Sequence, residues 1–531
     1  MSAGGWRRGE PTWALSIMGR SSVTYLYQDA DVIIRPRVGD FAPDDLSRAA
    51  ELIKAGGPAL ANWLQRLLES IWSEETMPSE WNLSVICPVH KKGDKQECSN
   101  YRGISLLNTA YKILSSILCE RLKPHMASHI RSYQCGFRPG KSTTDQMFTL
   151  RRILERTQEF QVDTHHLFID FKAAYDSINR GELFSAMSEF GIPAKLISLC
   201  RMTVSNIQCA IRTSGEPSAT FTTKNGFRQG DALSCDFFNL CLEQIVRSSG
   251  ANPRGTIFNK SVQLLAFADD MDIIGRNHRS VSEAFVRIEE AAGTMGLRIN
   301  EDKTKYMISS KNESRHHQLG QNISIANYNF EVVRDFVYLG GVVDSSNNMS
   351  LEVKRRIMLA NRAFFSLSHI MRSKFTSRRT KIVLYKTLIL PVLIYGSESW
   401  TLGNIEETIL GTFERKILRK MFGPVCHDGE WRIRYNIELY RIYNEIDVVK
   451  RIKVQRLRWL GHVARMDDNA PPKRIALGPP PDGRRRQGRP PLRWMDDVES
   501  DIQKLRIRNW REKARDREDW RRIVDEARIL I

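Results

Sequence analysis

The chain has 531 residues, of which 41% are hydrophobic and 27% are charged. This composition excludes a wholly disordered chain and leaves enough material for buried cores in roughly two to four domains. The formal net charge is +19, from 80 Lys and Arg against 61 Asp and Glu. Residues 1–350 carry 40 basic and 38 acidic side chains (+2), whereas residues 351–531 carry 40 and 23 (+17). Positive charge concentrated in the last third indicates a polyanionic partner, such as nucleic acid or an acidic membrane surface.

Simple patterns exclude three further classes of protein. No stretch of about 18 uninterrupted apolar residues is present, so we expect no membrane span. Arg7, Arg8 and Glu10 stand where a secretory signal would need apolar residues. The nine cysteines form no CxxC pair, which indicates reduced thiols rather than a disulfide framework or a zinc finger. We therefore expect an intracellular protein.

The predicted elements begin after residues 1–44, which we expect to form a poorly ordered leader. Apolar residues at helical spacing predict helical structure over 45–72, interrupted at 56–58. Short apolar runs predict strands at 83–89, 166–170, 207–212, 264–268 and 271–274. Helical spacing predicts helices at 110–122, ended by Pro124, and at 142–160, 180–190, 194–204, 234–247 and 281–295. Strands interleaved with helices favour an α+β core.

The last third of the chain has a different character. After Leu351 the pattern is mostly helical and basic. Residues 469–493 are rich in proline and arginine, so we expect a flexible linker there. Residues 494–531 predict a charged helical tail that carries three tryptophans.

Two short segments carry the residues on which a catalytic hypothesis depends. Asp269 and Asp270 stand between two apolar runs, which places both carboxylates at the tip of a tight hairpin. Asp170 ends another apolar strand, where a neighbouring strand would bring it beside that hairpin. Carboxylates so close together repel one another unless cations neutralise them, and hard oxygen ligands of this kind suit Mg²⁺. By itself, an Asp-Asp pair at a turn is more often turn chemistry than catalysis.

Further motifs accompany these segments in a fixed order. They lie at Trp81–Pro88, His90–Gly93, Asn100–Leu107, Gln134–Asp145, Phe168–Asp176, Asn225–Ser234, Phe267–Asp270, Gly296–Lys305 and Phe336–Gly340. In this order they resemble the reverse transcriptase of non-LTR, LINE-type retrotransposons. The resemblance to the RTE-like group continues through Tyr385–Trp400 and from Arg456–His462 to Arg489–Pro490. One such motif is weak evidence, whereas the ordered series is specific.

The resemblance implies a right-hand polymerase with fingers, an RRM-like palm and a thumb, followed by a mostly helical, basic C-terminal region. Residues 45–345 would form the fingers and palm, and residues 346–468 a helical thumb and connection region. The implied activity is that of an RNA-directed DNA polymerase with two Mg²⁺ ions, an RNA template, a DNA primer or target, and deoxynucleoside triphosphates. Full-length relatives place an endonuclease ahead of the polymerase, so the leader is expected to be a truncation or a misjoined start.

The resemblance also implies roles for individual residues. Asp170, Asp269 and Asp270 would be catalytic and hold both metal ions. Lys91 and Arg102 would contact the incoming triphosphate, since both carry charges suited to phosphate oxygens. Tyr175 would crowd a ribose 2′-hydroxyl, although it could equally be a buried ring. The remaining expected nucleotide contacts are Gln229 and Gly230, where a missing Cβ permits close approach, and Lys303, which could also be an ordinary surface lysine.

The basic last third offers candidate contacts to nucleic acid. A cationic helix side carries Lys354, Arg355, Arg356 and Arg362, and a second cluster carries Arg456, Arg458 and Trp459. The first set would follow a phosphate backbone, and the tryptophan ring could stack on bases. The arginine-rich segment 483–489 would clamp RNA or act as a nuclear address, which places the protein in the nucleus and cytoplasm. Each cluster could instead be a solvated charged surface.

Three functions remain to be compared. The first is the RNA-directed DNA polymerase. The second is a catalytically inactive, nucleic-acid-binding remnant of such an element, whose fingers are incomplete. The third is an RNA-directed RNA polymerase, which shares the paired carboxylates, and Tyr175 argues against it.

Overall fold

The computed structural model describes residues 61–213, 215–251, 263–479, 481, 485 and 492–530. The predicted leader at 1–44 and the first part of the helical segment predicted over 45–72 lie outside the described residues. Residues 61–74 are helical, as expected. No described helix is both long and apolar enough to cross a membrane.

Most of the strands belong to two sheets. A four-stranded sheet has the order β2-β1-β4-β5, and a six-stranded sheet has the order β6-β7-β3-β8-β10-β9. Two separate hairpins pair β11 with β12 and β13 with β14. The bounds are β1 Leu83–His90, β2 Tyr101–Leu106, β3 Thr164–Ile169, β4 Gln208–Ile211, β5 Phe221–Thr222, β6 Gln263–Phe267, β7 Asp270–Gly275, β8 Lys305–Ser309, β9 Asn322–Ile325, β10 Tyr328–Val332, β11 Asp335–Tyr338, β12 Gly341–Asp344, β13 Val425–His427 and β14 Glu430–Arg432.

The helices cover the faces of the large sheet and make up most of the last third. Their bounds are α1 Thr109–His129, α2 Thr143–Glu159, α3 Ala174–Ser177, α4 Arg180–Glu189, α5 Ala194–Val204, α6 Ala232–Ser248, α7 His278–Thr294, α8 Glu313–Gln318, α9 Met349–Ser366, α10 Ser368–Arg372, α11 Arg378–Leu384, α12 Leu390–Leu393, α13 Asn404–Phe422, α14 Asn436–Tyr443, α15 Val448–Arg465, α16 Pro471–Leu477, α17 Trp494–Lys504, α18 Trp510–Lys513 and α19 Arg517–Leu530. The predicted α+β class is confirmed.

The six-stranded sheet is buried on both faces around β3. Every residue of β3 is buried, and successive side chains of a strand point to opposite faces. Leu167 packs into the large core that includes helix α6, while Phe168 packs into a second core with Leu150 and Leu154 of α2. A strand covered on both sides needs a continuous apolar run, which is why sequence pattern found β3.

Helix α1 differs from its prediction, since it continues through Pro124 to His129. Leu122 and Met126, on either side of the proline, are buried. Their burial offsets the backbone hydrogen bond that proline cannot donate. The helix begins where expected because the Asn108 side chain accepts hydrogen bonds from the first turn, 2.8 Å from the Ala110 backbone nitrogen.

The C-terminal tail packs back onto helix α2. Trp494 of α17 and Trp459 of α15 both pack edge-on against Phe148 of α2, with ring centroids 4.8 and 5.6 Å apart. The indole nitrogen of Trp494 donates to the backbone oxygen of Glu398 at 2.8 Å. Trp459 is therefore buried in a core, and the predicted stacking of its ring on bases is wrong.

Part of the predicted flexible linker is an ordered helix. Residues 471–477 form α16, which buries Ile475. The guanidinium of Arg156 in α2 donates to the backbone oxygen of Gly478 at 3.0 and 3.1 Å. Proline at the first turn of a helix is compatible with helical geometry, so the proline pair at its start does not prevent α16. Most of the segment 483–489 lies outside the described residues.

Arg456 holds the tail in place. Its side chain is fully buried and pairs with Asp497 and Asp501 of α17, at 2.8 Å from the Asp501 carboxylate. The prediction that Arg456 contacts nucleic acid is therefore wrong. A buried guanidinium needs carboxylate partners, and these stand 41 and 45 residues further along the chain.

Replacement of this arginine tests the structural role of the tail. In Arg456→Leu the two carboxylates would stay buried without a partner, so we expect the free energy of unfolding to fall by about 3–5 kcal/mol. Arg458→Ala is the matched control, because Arg458 is exposed and lies 3.8 Å from Asp525; surface changes of this kind are worth about 0.5 kcal/mol or less. Denaturant unfolding measures both, and equal losses would contradict the role of Arg456.

Candidate active site

Three carboxylates meet where β3 and the β6–β7 hairpin end. Asp170 directly follows β3, Asp270 opens β7, and Asp269 lies in the turn between β6 and β7. Ile169 of β3 pairs with Met271 of β7 in antiparallel register. Asp170 and Asp270 each stand one residue beyond that pair on the same side, so the strands bring them next to each other. The hairpin and the neighbouring strand predicted from sequence are confirmed.

The carboxylates interact electrostatically. Loss of hydration, and then the negative charges of Asp269 and Asp170, raise the pKa of Asp270 to about 7. Loss of hydration also raises the pKa of Asp269, with a further contribution from Asp170. A hydrogen bond from the backbone and the positive charges of Arg102 and Lys303 counteract this rise. At neutral pH the Asp270 carboxyl is therefore partly protonated when no cation is bound.

Asp170 is positioned by the segment before β8. The side-chain amide of Asn300 donates to the Asp170 carboxylate at 2.9 Å, and the Lys303 ammonium lies 3.4 Å from it. The backbone N–H of Asp170 donates to the Thr304 hydroxyl at 3.2 Å. Lys303 thus lies in the site, as predicted. Asn300 and Thr304 were missed as site residues, although both lie in the motif Gly296–Lys305.

The predicted nucleotide contacts lie around the same carboxylates. The positive charge of Arg102 on β2 counteracts the rise in the pKa of Asp269 and of Asp176, and the charge of Lys91 does so for Asp176. The backbone oxygen of Gln229 accepts from Ser105 of β2 at 2.7 Å, and its side-chain amide donates to Asp176 at 3.2 Å. Gly230 has φ +120°, and a Cβ there would lie 2.9 Å from the Ser105 backbone oxygen. Glycine is thus required at this close approach.

Tyr175 lies beside the carboxylates with its ring fixed. The ring stacks on Phe238 with centroids 4.7 Å apart. Its hydroxyl is buried and has no hydrogen-bond partner among the described residues. Burial, and to a lesser extent the charges of Asp269 and Asp270, raise the pKa of this hydroxyl. The packed ring is what the structural alternative predicts, and the unpaired hydroxyl in the site is what the functional alternative needs. The sequence had left both alternatives open.

Gln134 supports the catalytic turn, and sequence reasoning did not select it. Its side-chain oxygen accepts from the backbone N–H groups of Gly136 and Ala268, at 2.7 and 3.0 Å. Ala268 has φ +58°, a conformation that non-glycine residues rarely adopt, and it directly precedes Asp269. A Cβ on Gly136 would lie 2.3 Å from the Ala268 nitrogen. The motif Gln134–Asp145 therefore holds the strained turn that presents Asp269.

Asp272 lies on the same strand as Asp270 but has another role. Asp272 is fully buried, with its carboxylate 3.2 Å from the His166 ring nitrogen. Asp272 pairs with Phe168 across the two strands, and this pair points into the core with α2. Residues two apart on a strand lie on the same face, so Asp270 is exposed because it opens β7, whereas Asp272 lies inside the strand and is covered by the core.

The oxygen atoms of the three carboxylates have the chemistry that a divalent cation needs. Their side chains are not arranged as a complete coordination shell. In the ranges that the structure describes, no three metal-ligating side chains already converge on one point. The three carboxylates nevertheless supply hard oxygen donors, and loss of hydration together with their mutual repulsion raises the pKa of Asp270. A divalent cation would relieve that repulsion, and oxygen ligands of this kind are the ones that such cations prefer.

Some of the predicted nucleic-acid contacts on α9 are exposed, and others are held in contacts within the protein. Lys354 and Arg362 are exposed, as a contact to a phosphate backbone requires. Arg356 is buried, with its guanidinium 2.6 Å from the Glu352 carboxylate and 4.5 Å above the Tyr395 ring. Arg355 donates to the Gly340 backbone oxygen at 2.6 Å. For Arg356 the prediction is wrong, because the side chain joins α9 to the polymerase core.

Carboxylates at a hairpin tip and on the adjoining strand, with lysine and arginine nearby, are an arrangement suited to nucleotidyl transfer with divalent cations. Residues 89–341 match the family model of the reverse transcriptase, an RNA-dependent DNA polymerase. Most of the motifs that resemble this family in the sequence lie within the matched residues.

Known relatives come from transposable elements. A transposon-derived protein of Caenorhabditis elegans is 26% identical over 49% of this chain and 94% of its own length. The Pol polyprotein of retrotransposable element R2 from Popillia japonica is 23% identical over 43% of this chain and 32% of its own length. The chain thus spans about a third of that polyprotein. A Candida tropicalis telomerase structure with telomeric RNA aligns with a TM-score of 0.40 and 14% identity, over 78% of this chain and 67% of its own.

Removal of the Gln134 amide tests its support of the turn. In Gln134→Leu the N–H groups of Gly136 and Ala268 lose their shared acceptor, so we expect the free energy of unfolding to fall by about 1–3 kcal/mol. Gln318→Leu is the control, because Gln318 is exposed at the end of α8. Denaturant unfolding compares the two, and equal stability would show that the turn does not depend on Gln134.

Proposed function

We propose that the chain is an RNA-directed DNA polymerase of a non-LTR retrotransposon, which extends a DNA primer on an RNA template with two Mg²⁺ ions. The observation that carries the proposal is the meeting of Asp170, Asp269 and Asp270 at one edge of the sheet within a matched reverse transcriptase domain. The inactive-remnant alternative has no comparable support, because all three carboxylates and their neighbouring cations are present.

The carboxylates would hold the metal ions, which when bound activate the primer 3′-hydroxyl and stabilise the leaving oxygen. Asn300 keeps the Asp170 carboxylate oriented, and Lys303 stands 3.4 Å from it. Lys303 would neutralise the leaving pyrophosphate. Arg102 and Lys91 lie across the site on the β1–β2 hairpin and the loop after β1, where their charges suit the triphosphate of a deoxynucleotide.

Tyr175 would select the sugar of the incoming nucleotide. Its ring is fixed against Phe238, so it cannot easily move aside for a ribose 2′-hydroxyl. Gln229 and Gly230 would lie against the nascent base pair, since the glycine allows backbone approach. Exposed Lys354 and Arg362 on α9 would contact the template–primer backbone. The proposed domain division, with fingers and palm to residue 345 and thumb from 346, follows from these assignments, and the nucleus and cytoplasm remain the expected location.

Substitution of one carboxylate is the direct test of the proposed activity. Asp269→Asn keeps the shape of the side chain but removes the charge that binds metal, so we expect primer extension on RNA to fall by at least about 10³-fold. The control is Asp302→Asn, which removes an exposed carboxylate of the motif Gly296–Lys305. We expect this variant to retain wild-type activity.

The same assay separates the alternatives. RNA binding without any extension by the wild-type chain would favour the inactive remnant. Extension that survives in Asp269→Asn would contradict the metal assignment, and preference for ribonucleotides would favour the RNA polymerase.

The raised pKa of Asp270 predicts a pH dependence of metal binding. A proton competes with the cation for this carboxylate, and its pKa is about 7. We therefore expect Mn²⁺ affinity to be largely constant above pH 8 and to fall roughly tenfold per pH unit below about pH 7. Calorimetric titration at pH 6, 7 and 8 measures this, with Asp270→Asn as control. An affinity that does not change with pH would contradict the assignment of Asp270 as a ligand.

A further inference from the structure

A short segment after α13 exposes four large apolar side chains together. We call it the Trp431 ridge, and it consists of Trp431, Ile433, Tyr435 and Ile437, which are 71%, 71%, 65% and 76% exposed. Trp431 lies on the β13–β14 hairpin, and the other three follow at every second position up to the start of α14. Apolar side chains gathered on a surface in this way usually mark an interaction site.

The ridge is held rigidly by the residues that alternate with it. The Arg432 guanidinium binds the Glu438 carboxylate with two hydrogen bonds of 2.8 and 2.6 Å, which holds the pKa of Glu438 at about 2. The Arg434 guanidinium donates to the Gly423 backbone oxygen at 3.0 Å. Arg432 thus binds within the segment and Arg434 binds the backbone before β13, which leaves the apolar side chains outside. A surface fixed in advance loses little conformational entropy when it binds a partner.

The surroundings of the ridge are basic. Residues 415–441 contain seven basic side chains and three acidic ones, a balance of +4. One of the acidic residues, Glu438, is already paired with Arg432. Lys416, His427 and Arg441 are exposed. This balance repels a basic partner and attracts a polyanion.

We propose that the Trp431 ridge binds single-stranded nucleic acid, with Trp431 and Tyr435 stacking on bases. The Arg432 guanidinium lies 4.3 Å from the centroid of the Tyr435 ring, and it covers one face and leaves the other for a base. Aromatic rings beside positive charge bind single strands with little sequence preference. The ridge takes the role that sequence reasoning gave to Trp459, whose ring is buried. The inference shares with the proposed function only that the substrate is a nucleic acid.

The test measures binding to the full chain without any catalytic step. The probes are a fluorescein-labelled 20-nucleotide RNA, its DNA equivalent and a DNA duplex of the same length, followed by anisotropy. We expect W431A/Y435A to bind both single strands about tenfold or more weakly and the duplex within about threefold of wild type. The control is Phe375→Ala, which removes another fully exposed ring outside the ridge and leaves single-strand affinity unchanged.

Conservative variants distinguish stacking from general apolar contact. W431F/Y435F keeps the ring faces and should retain affinity within about threefold, whereas W431L/Y435L should bind as weakly as the alanine variant. Unchanged single-strand affinity in W431A/Y435A would overturn the proposal and leave a protein partner as the alternative. Full affinity in the leucine variant would also overturn it. Because binding needs no synthesis, failure of primer extension leaves this result intact and tests only the proposed function.

Discussion

The repulsion among three carboxylates is the constraint around which the rest of the site is arranged. Asp170, Asp269 and Asp270 are brought together by strand pairing, and loss of hydration, followed by the charges of the other two carboxylates, raises the pKa of Asp270 to about 7. Such a cluster opposes folding unless its surroundings are rigid. Asn300 and Thr304 fix Asp170 from one side, and Gln134 fixes the turn before Asp269 from another. The energy stored in this repulsion is what a bound cation would release.

The basic last third contributes to the fold as well as to binding. Arg356 and Arg456 are buried, and their partners lie one helical turn away or on another helix. Trp459 and Trp494 pack on Phe148 of α2, the helix that follows the Gln134 motif. The tail thereby supports the helix whose Gln146 amide donates to the backbone of β6 at Ala266, 2.7 Å away. The +17 charge of this region is therefore divided between internal ion pairs and a smaller exposed surface.

Sequence reasoning worked best where one pattern determines one structure. The apolar runs of β3, β6 and β7, the capped helix α2 and the start of α1 were predicted within a few residues, and with them the place of the three carboxylates. It did not find β9 to β11, because these strands are four or five residues long and half-exposed, so that their alternation is weak. It also missed β12, which is mostly buried but only four residues long. Sequence reasoning also could not tell buried arginines from exposed ones. The partners of buried Arg456, Asp497 and Asp501, lie far from it in sequence. Gln134 was quoted within a motif, but its role depends on the backbone conformation of Ala268.

The central claim is that these three carboxylates together hold two divalent cations. Its most direct test is the number of Mn²⁺ ions bound by the full chain with an RNA template, a DNA primer lacking its 3′-hydroxyl and a matching deoxynucleotide, counted by electron paramagnetic resonance. The account predicts two bound ions in the wild-type chain and fewer in Asp170→Asn, with the template and primer still bound. Two ions retained in Asp170→Asn, or none bound by the wild-type complex, would contradict it.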